Sequence, residues 1–292
     1  MSFAKFQKKN NPLSAILIGT QGTGKTTTCA SLLQIPTLLL YVSSLESHSM
    51  QNMAKGADLY EGASTDNLFP VAIDAVEEAD AGYMDFCKKL KVGDRLNSDQ
   101  AFVKMHTYLQ MARGNVQAVV IDSLTALAFL MTTSQKWKNR CSTDKGHNSF
   151  KEADAYVEQF QEIISVLTTL NDAGIHTVCT CGAKVVEADG STGEVEKISP
   201  ELPAYRVAER LVYAFSDIIP LIYNVSYPPW RCMINFEVET VRIQKDVKQN
   251  IKKVLNFTPR LQCAPLDVPL TVLPPDLLRL PENIAAVAAA AN

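Results

Sequence analysis

No apolar run in this chain reaches the roughly 20 residues of a membrane-spanning helix, so an integral helical membrane protein is excluded at the outset. The first eleven residues are polar and basic and carry no apolar secretory core, which sets the expectation of a cytoplasmic protein, in a host's cytoplasm if the chain is viral. Charge of one sign is missing too. Lys and Arg number 28 against 31 Asp and Glu, a net charge of −3, so no global positive field advertises nucleic acid, and any such contact rests on local patches. Cysteine is present without a framework: seven residues, odd in number and scattered. Cys179 and Cys181 stand two apart in a strand-like segment, but no second Cys or His pair completes a zinc pattern. Free thiols in a reducing compartment follow. His48, His106, His147 and His176 have no ligand-like spacing. There is no internal repeat, and no arginine-rich cluster of the kind that forms the lid of small-molecule kinases.

What is present is ordinary globular composition: 292 residues, 47% hydrophobic, enough for one large α/β domain with a sizeable core. One segment stands out, Gly19-Thr-Gln-Gly-Thr-Gly-Lys25-Thr26, which reads G-x-x-x-x-G-K-[ST]. Its spacing answers a physical need. Gly19, Gly22 and Gly24 let the backbone wrap a triphosphate closely, with the N–H groups of Thr23, Lys25, Thr26 and Thr27 turned toward it. Lys25 supplies a point charge for the β- and γ-phosphates, and the Thr26 hydroxyl is placed to hold Mg²⁺. The apolar run 15–18 enters the loop as a strand, and residues 26–33 leave it as a helix. A chance match in a chain of this length is on the order of a per cent at average residue frequencies.

Strand and helix alternate along the rest. Residues 37–42 and 116–121 are continuous apolar runs, the signature of strands buried on both faces of a parallel sheet. Residues 68–73 form a weaker strand candidate. Ser98 reads as the cap of a helix over 98–112, with Phe102, Met105, Leu109 and Ala112 on one face and Gly114 ending it. Residues 150–170 predict a long amphipathic helix closed by Gly174, followed by a strand over 175–181; further strand or helix is expected over 211–223 and 235–243. Repeated strand–helix units imply a mainly parallel sheet with helices on both faces. The division is a basic segment 1–12, an α/β domain 13–258, and a Pro- and Ala-rich tail 259–292 that is either a floppy terminus or an arm laid along a neighbour.

Asp122 ends the run Val119-Val120-Ile121, where P-loop NTPases keep a Mg²⁺-binding carboxylate, and it is expected on the strand adjacent to the loop's own. The next position, often a water-orienting glutamate, is Ser123. Glu46, directly after the strand 37–42 and so at the carboxyl edge of the sheet, is the candidate that polarises the attacking water. Catalysis is thus expected from Lys25, Asp122 and Glu46, with ATP and Mg²⁺ as cofactors.

GTQGTGKT, the glutamate of YVSSLE and VVIDSLTAL, taken in order, resemble the ATPase core of RecA, RadA and the replicative helicases. With the downstream strand 175–181, an irregular segment, ISPELP and Asp217, the chain resembles more narrowly the phage-type ATPases of single-strand annealing and recombination, over roughly residues 13–255. That resemblance implies ATP hydrolysis coupled to single-stranded DNA, and self-association in a ring or filament. It places one DNA-facing loop at Lys136, Trp137, Lys138, Arg140 and Lys145, where cations meet phosphates and the ring stacks on a base; the alternative is a solvated loop with Trp137 packed on the core. A second loop, 183–205, is rich in acids. The resemblance also places a cation from the neighbouring subunit at Lys245 or Lys248. One departure stands out. Relatives carry a polar phosphate sensor, often histidine, after the strand ending at Cys181; here Gly182 follows, leaving Thr180 or Lys184 as substitutes. A packaging or translocation motor, and a structural protein stabilised by bound nucleotide, remain open alternatives.

Overall fold

A computed structural model describes residues 12–20, 23–143, 146–147, 152–187, 195–202, 214–215, 217–223, 232–234 and 276–279. The strands are β1 (Ser14–Gly19), β2 (Thr37–Tyr41), β3 (Leu68–Ala72), β4 (Ala118–Asp122), β5 (Ser142–Thr143), β6 (Gly146–His147), β7 (His176–Cys181), β8 (Ala183–Glu187), β9 (Val195–Pro200), β10 (Asp217–Tyr223) and β11 (Cys232–Ile234). The helices are α1 (Lys25–Cys29), α2 (Ser49–Gly56), α3 (Ser98–Ala112), α4 (Leu124–Thr133), α5 (Gln135–Cys141) and α6 (Glu152–Asp172). The main sheet has the order β11-β10-β1-β7-β4-β2-β3. Every pairing in it is parallel except that of the edge strand β11 with β10. The chain is therefore the α/β fold that its alternating pattern predicts. One expectation needs correcting: β4, which carries Asp122, is not beside β1. Strand β7 lies between them.

The side-chain period of a strand explains why the inner strands read as unbroken apolar runs. On one face Ile16, Ile18, Leu38, Leu40, Val119, Ile121 and Cys179 pack under α3, α4 and α6. On the other, Ala15, Leu17, Leu39, Val120 and Val178 pack under α1, the 3₁₀ turn Ala30–Gln34 and α2. Two sets of neighbours demand apolar residues at both parities. Gly56 lets α2 lie close on α1: a Cβ there would stand 2.7 Å from the Ala30 Cβ.

Helix ends follow local chemistry, with a shift of one residue from expectation. Asn97 rather than Ser98 caps α3, accepting from Gln100 N at 2.9 Å while Gln100 Oε1 accepts from Asn97 N at 3.1 Å. Gly114 and Gly174 close α3 and α6 with φ of +82° and +91°, values that a side chain disfavours. The expected helix after the P-loop is five residues of α-helix followed by the 3₁₀ turn. The segment taken as irregular after β7 is an antiparallel hairpin of β8 and β9. Part of the tail returns to its own chain: Leu277 is buried under the α1 face, with its N–H on Ser31 Oγ at 2.9 Å, and Gln34 Nε2 donates to Asp276 at 2.7 Å.

Between β3 and α3 the chain makes two 3₁₀ turns, Glu78–Gly82 and Asp85–Lys89, over a small cluster of Val76, Met84, Cys87 and Leu96. Lys104 of α3 is fully buried beneath them. Its ammonium donates to the carboxylates of Asp80 and Glu77 and to the Ala75 carbonyl, and Tyr108 donates to Asp80 at 2.8 Å. Among the described residues no helix is long and apolar enough to cross a membrane. Cys29, Cys87, Cys141, Cys179 and Cys181 are buried and form no disulfide among the described residues.

Candidate nucleotide site

The parallel strands bring their carboxyl ends to one edge, and the loops after β1, β2, β4 and β7 converge there. Gly24 turns the chain into α1 with φ of +82°. The first N–H groups of a helix have no partner within it, and here they open beside the end of β1. Thr23 is buried and its hydroxyl donates to the Thr20 carbonyl at 2.8 Å, bracing the loop. The Lys25 ammonium donates to the carbonyls of Gly19 and Thr20 at 2.7 and 2.9 Å. Burial lowers its pKa below the ordinary lysine value, against the pull of Asp122 and Glu46. Gly22 lies outside the described residues.

Asp122 sits at the centre. The Thr26 hydroxyl donates to its Oδ2 at 2.8 Å, across 96 residues of sequence, and the buried Thr180 hydroxyl of β7 donates to its Oδ1. The intervening strand thus supplies a second hydroxyl to Asp122 rather than separating the motifs. Glu46 reaches the same place from the end of β2. Ser123 Oγ donates to its Oε1 at 3.0 Å and accepts from Ala126 N at 3.2 Å, so one hydroxyl caps α4 and holds a carboxylate. Burial raises the Glu46 pKa and Asp122 raises it further, while Ser123 and Lys25 pull the other way.

The Gly182 position has a steric reason. A Cβ there would meet Glu201 Oε2 at 2.5 Å, which a turn of that exposed side chain relieves, and Glu201 Cβ and Thr125 Oγ1 at 3.1 Å, a tight fit that asks those neighbours to give slightly. Gly182 N donates to Thr125 Oγ1 at 2.8 Å, and Glu201 N donates to the Gly182 carbonyl at 2.7 Å. The root of the β8–β9 hairpin is thereby fastened to the first turn of α4. The polar side chain that reaches the site from this strand is Thr180, while Lys184 is exposed.

The basic aromatic cluster is helical, not a loop. Lys136, Trp137, Lys138 and Arg140 lie on α5, packed against α6. Lys136 pairs with Glu162, and Arg140 pairs with Glu158 through two contacts of 3.2 Å. Trp137 packs beside Tyr156 with ring centroids 6.0 Å apart, and Lys138 is exposed. Lys145, Lys245 and Lys248 lie outside the described residues. Two residues that carry no sequence motif, Asp74 and Ser43, hydrogen-bond to each other beside the turn that ends at Glu46.

Oxygen donors suit Mg²⁺, which is bound through one or two protein groups with phosphates and water completing the shell. The Thr26 hydroxyl and the Asp122 carboxylate, 2.8 Å apart, fit that donor set. Among the described residues no group of three or more His, Cys, Asp or Glu is placed to hold a metal ion.

A phosphate-binding loop, an aspartate within hydrogen-bond reach of its threonine, and a parallel α/β sheet presenting both at one edge define a P-loop NTPase. Residues 11–260 match the AAA domain family, and the chain belongs to it. Nucleotide binding and ATPase activity come with that membership. Among curated proteins, none matches the chain.

Proposed function

We propose that the protein hydrolyses ATP in a RecA-like manner and works on single-stranded DNA, in recombination or annealing. The observation that carries the catalytic part is the convergence of Thr26, Thr180 and Asp122 with Ser123 and Glu46 at one sheet edge. Lys25 neutralises charge on the β- and γ-phosphates. Thr26 and Asp122 hold Mg²⁺, which, when bound, offsets the charge that develops on the phosphoryl oxygens. Glu46, ionised, accepts the proton of a water whose oxygen bonds to the γ-phosphorus as the bond to the β-phosphate oxygen breaks and ADP departs. The buried flank of Glu46 favours that proton transfer, because its carboxylate is more basic than an exposed one. E46Q is expected to lose about 10²-fold in turnover with ATP binding retained; full turnover in that variant removes Glu46 from the reaction.

The DNA part rests on the resemblance to recombination ATPases and on the cations of α5. Lys136 and Arg140 are held by half-exposed ion pairs worth roughly 0–1 kcal/mol, weak enough to exchange for phosphates. Lys138 is open. ATP turnover that rises with added single strands is the expected result; turnover indifferent to them strikes the DNA part and leaves the ATPase standing. We further propose self-association, with Lys245 or Lys248 entering a neighbour's site. K245A should then bind ATP and fail to turn it over, and unchanged turnover would remove Lys245 from that role.

A further inference from the structure

The Glu46 carboxylate is held by Ser123, but the backbone that carries it is held from elsewhere. Strands β2 and β3 pair in register, Tyr41 opposite Ala72. Ser43 and Asp74 are each two residues further on, so the parallel register delivers them to the same height beyond the sheet edge. There Asp74, 3% exposed, accepts from Ser43 N at 2.6 Å, Ser43 Oγ at 2.8 Å and Ser44 N at 2.9 Å. Both carboxylate oxygens are used. The turn they hold closes on itself, with Leu45 N and Glu46 N donating to the Val42 carbonyl at 3.0 and 2.8 Å. Glu46 is the last residue of that turn. Asp74 also faces the Arg95 guanidinium at 3.9 Å, itself largely exposed, at a cleft of about 330 Å³ that Ser44, Leu96 and Asn97 help to line.

We infer that Asp74 is a positioning residue for the reaction: by fixing the backbone at Ser43 and Ser44 it sets where the Glu46 carboxylate stands relative to Asp122. The inference rests on the reading of Glu46 as the group that orients water. Asp74 reaches the chemistry through the backbone alone, so its loss displaces Glu46 without touching the loop that holds phosphates. A displacement of an ångström at a reacting group costs up to about 10²-fold in rate.

The test is a set of four folded proteins, wild type, D74N, E46Q and D74N/E46Q, compared for kcat and for equilibrium ATP binding. D74N should lower kcat by about tenfold and change ATP affinity by less than about twofold. In the E46Q background it should have no further effect, because the group it positions is gone. Equal losses in binding and kcat, or an undiminished effect of D74N on top of E46Q, would show Asp74 as a general structural support and overturn the inference. Wild-type turnover in E46Q brings down the reading of Glu46 and this inference with it. A dead E46Q beside a folded D74N of normal kcat brings down the inference alone. Should D74N fail to fold, S43A, which deletes one of three donors, carries the test: kcat about threefold lower at unchanged ATP affinity supports it, and unchanged kcat overturns it.

Discussion

Two apolar runs of this chain lead into an aspartate, Val71-Ala72-Ile73-Asp74 and Val119-Val120-Ile121-Asp122; Asp122 is the last residue of β4, while Asp74 stands two residues past the end of β3. Both aspartates are almost wholly buried, at 3% and 2% exposure, and both use each carboxylate oxygen. Their donors differ. Asp122 is met by two threonine hydroxyls. Asp74 is met by two backbone N–H groups and one hydroxyl. A hydroxyl rotates and carries lone pairs as well as a proton, so Thr26 can turn from donating to Asp122 to sharing a metal ion with it. A backbone N–H is fixed by the chain and only donates. Two nearly identical four-residue segments therefore yield a carboxylate whose partners can turn away in one place and a carboxylate tied into the scaffold in the other.

The sharpest way to break this contrast is D122N. An amide keeps the shape and an acceptor for one threonine, but it removes the charge facing Lys25 and the metal. Turnover should fall by about 10²–10³-fold, the range seen when a preorganised electrostatic group at a reacting centre is lost. Removal of divalent cations by a chelator should do the same to the wild type. A D122N protein that keeps turnover within a few-fold of wild type would end the assignment of Asp122 to the site.

D74N should show the opposite balance, with its larger effect on stability. The amide nitrogen donates and has no lone pair with which to accept, so one of the N–H groups of Ser43 or Ser44 is left facing a donor. Leaving such a group unsatisfied costs about 1–3 kcal/mol, several degrees in Tm for a domain of this size. The acid limb should change as well. Burial pushes the Asp74 carboxyl up, but the combined hydrogen bonds from Ser44 and Ser43 outweigh it and leave the pKa below the ordinary value. A depressed folded pKa gives stability that is present above the unfolded pKa of about 3.9 and is lost as pH falls through the lower folded value. Wild-type stability should therefore sag in that acid window, and D74N should sag less. Equal Tm values and parallel acid limbs for the two proteins would refute this.

How much of this was legible in the sequence follows the same line. The P-loop and Asp122 could be read because they are local patterns with a fixed chemical purpose. Glu46 could be read because it follows a buried strand and so lies at the carboxyl edge. Asp74 follows a strand in the same way, but its run was the weakest of the candidates: β3 is an edge strand with Phe69 exposed. Its partners Ser43 and Ser44 come from a neighbouring strand, and pairing between strands is written in no short window. The place of β7 between β1 and β4 was hidden for the same reason, and with it the contact of Thr180 with Asp122. Lys104 escaped because a lysine on an amphipathic helix reads as solvent-facing; its partners lie 24 and 27 residues earlier, in and just before one 3₁₀ turn that has no hydrophobic period to betray it.

The smallest expected effect tests the hydroxyl that joins Glu46 to the start of α4. Ser123 donates to Glu46 and caps α4. S123A removes both functions, and the lost cap costs roughly 1 kcal/mol of stability. Its kinetic effect has a definite sign. Burial and the charge of Asp122 already hold the Glu46 pKa above the ordinary carboxylate value, and the Ser123 hydrogen bond is one of the influences that lower it. Without that bond the pKa rises further. In the proposed mechanism Glu46 acts ionised, so the acid limb of turnover should move to higher pH in S123A, with kcat on the alkaline plateau changed only about two- to threefold. S123T keeps the hydroxyl and should restore both the limb and the cap. An acid limb that stays put in S123A, or moves to lower pH, would mean that the ionisation controlling turnover is not that of Glu46.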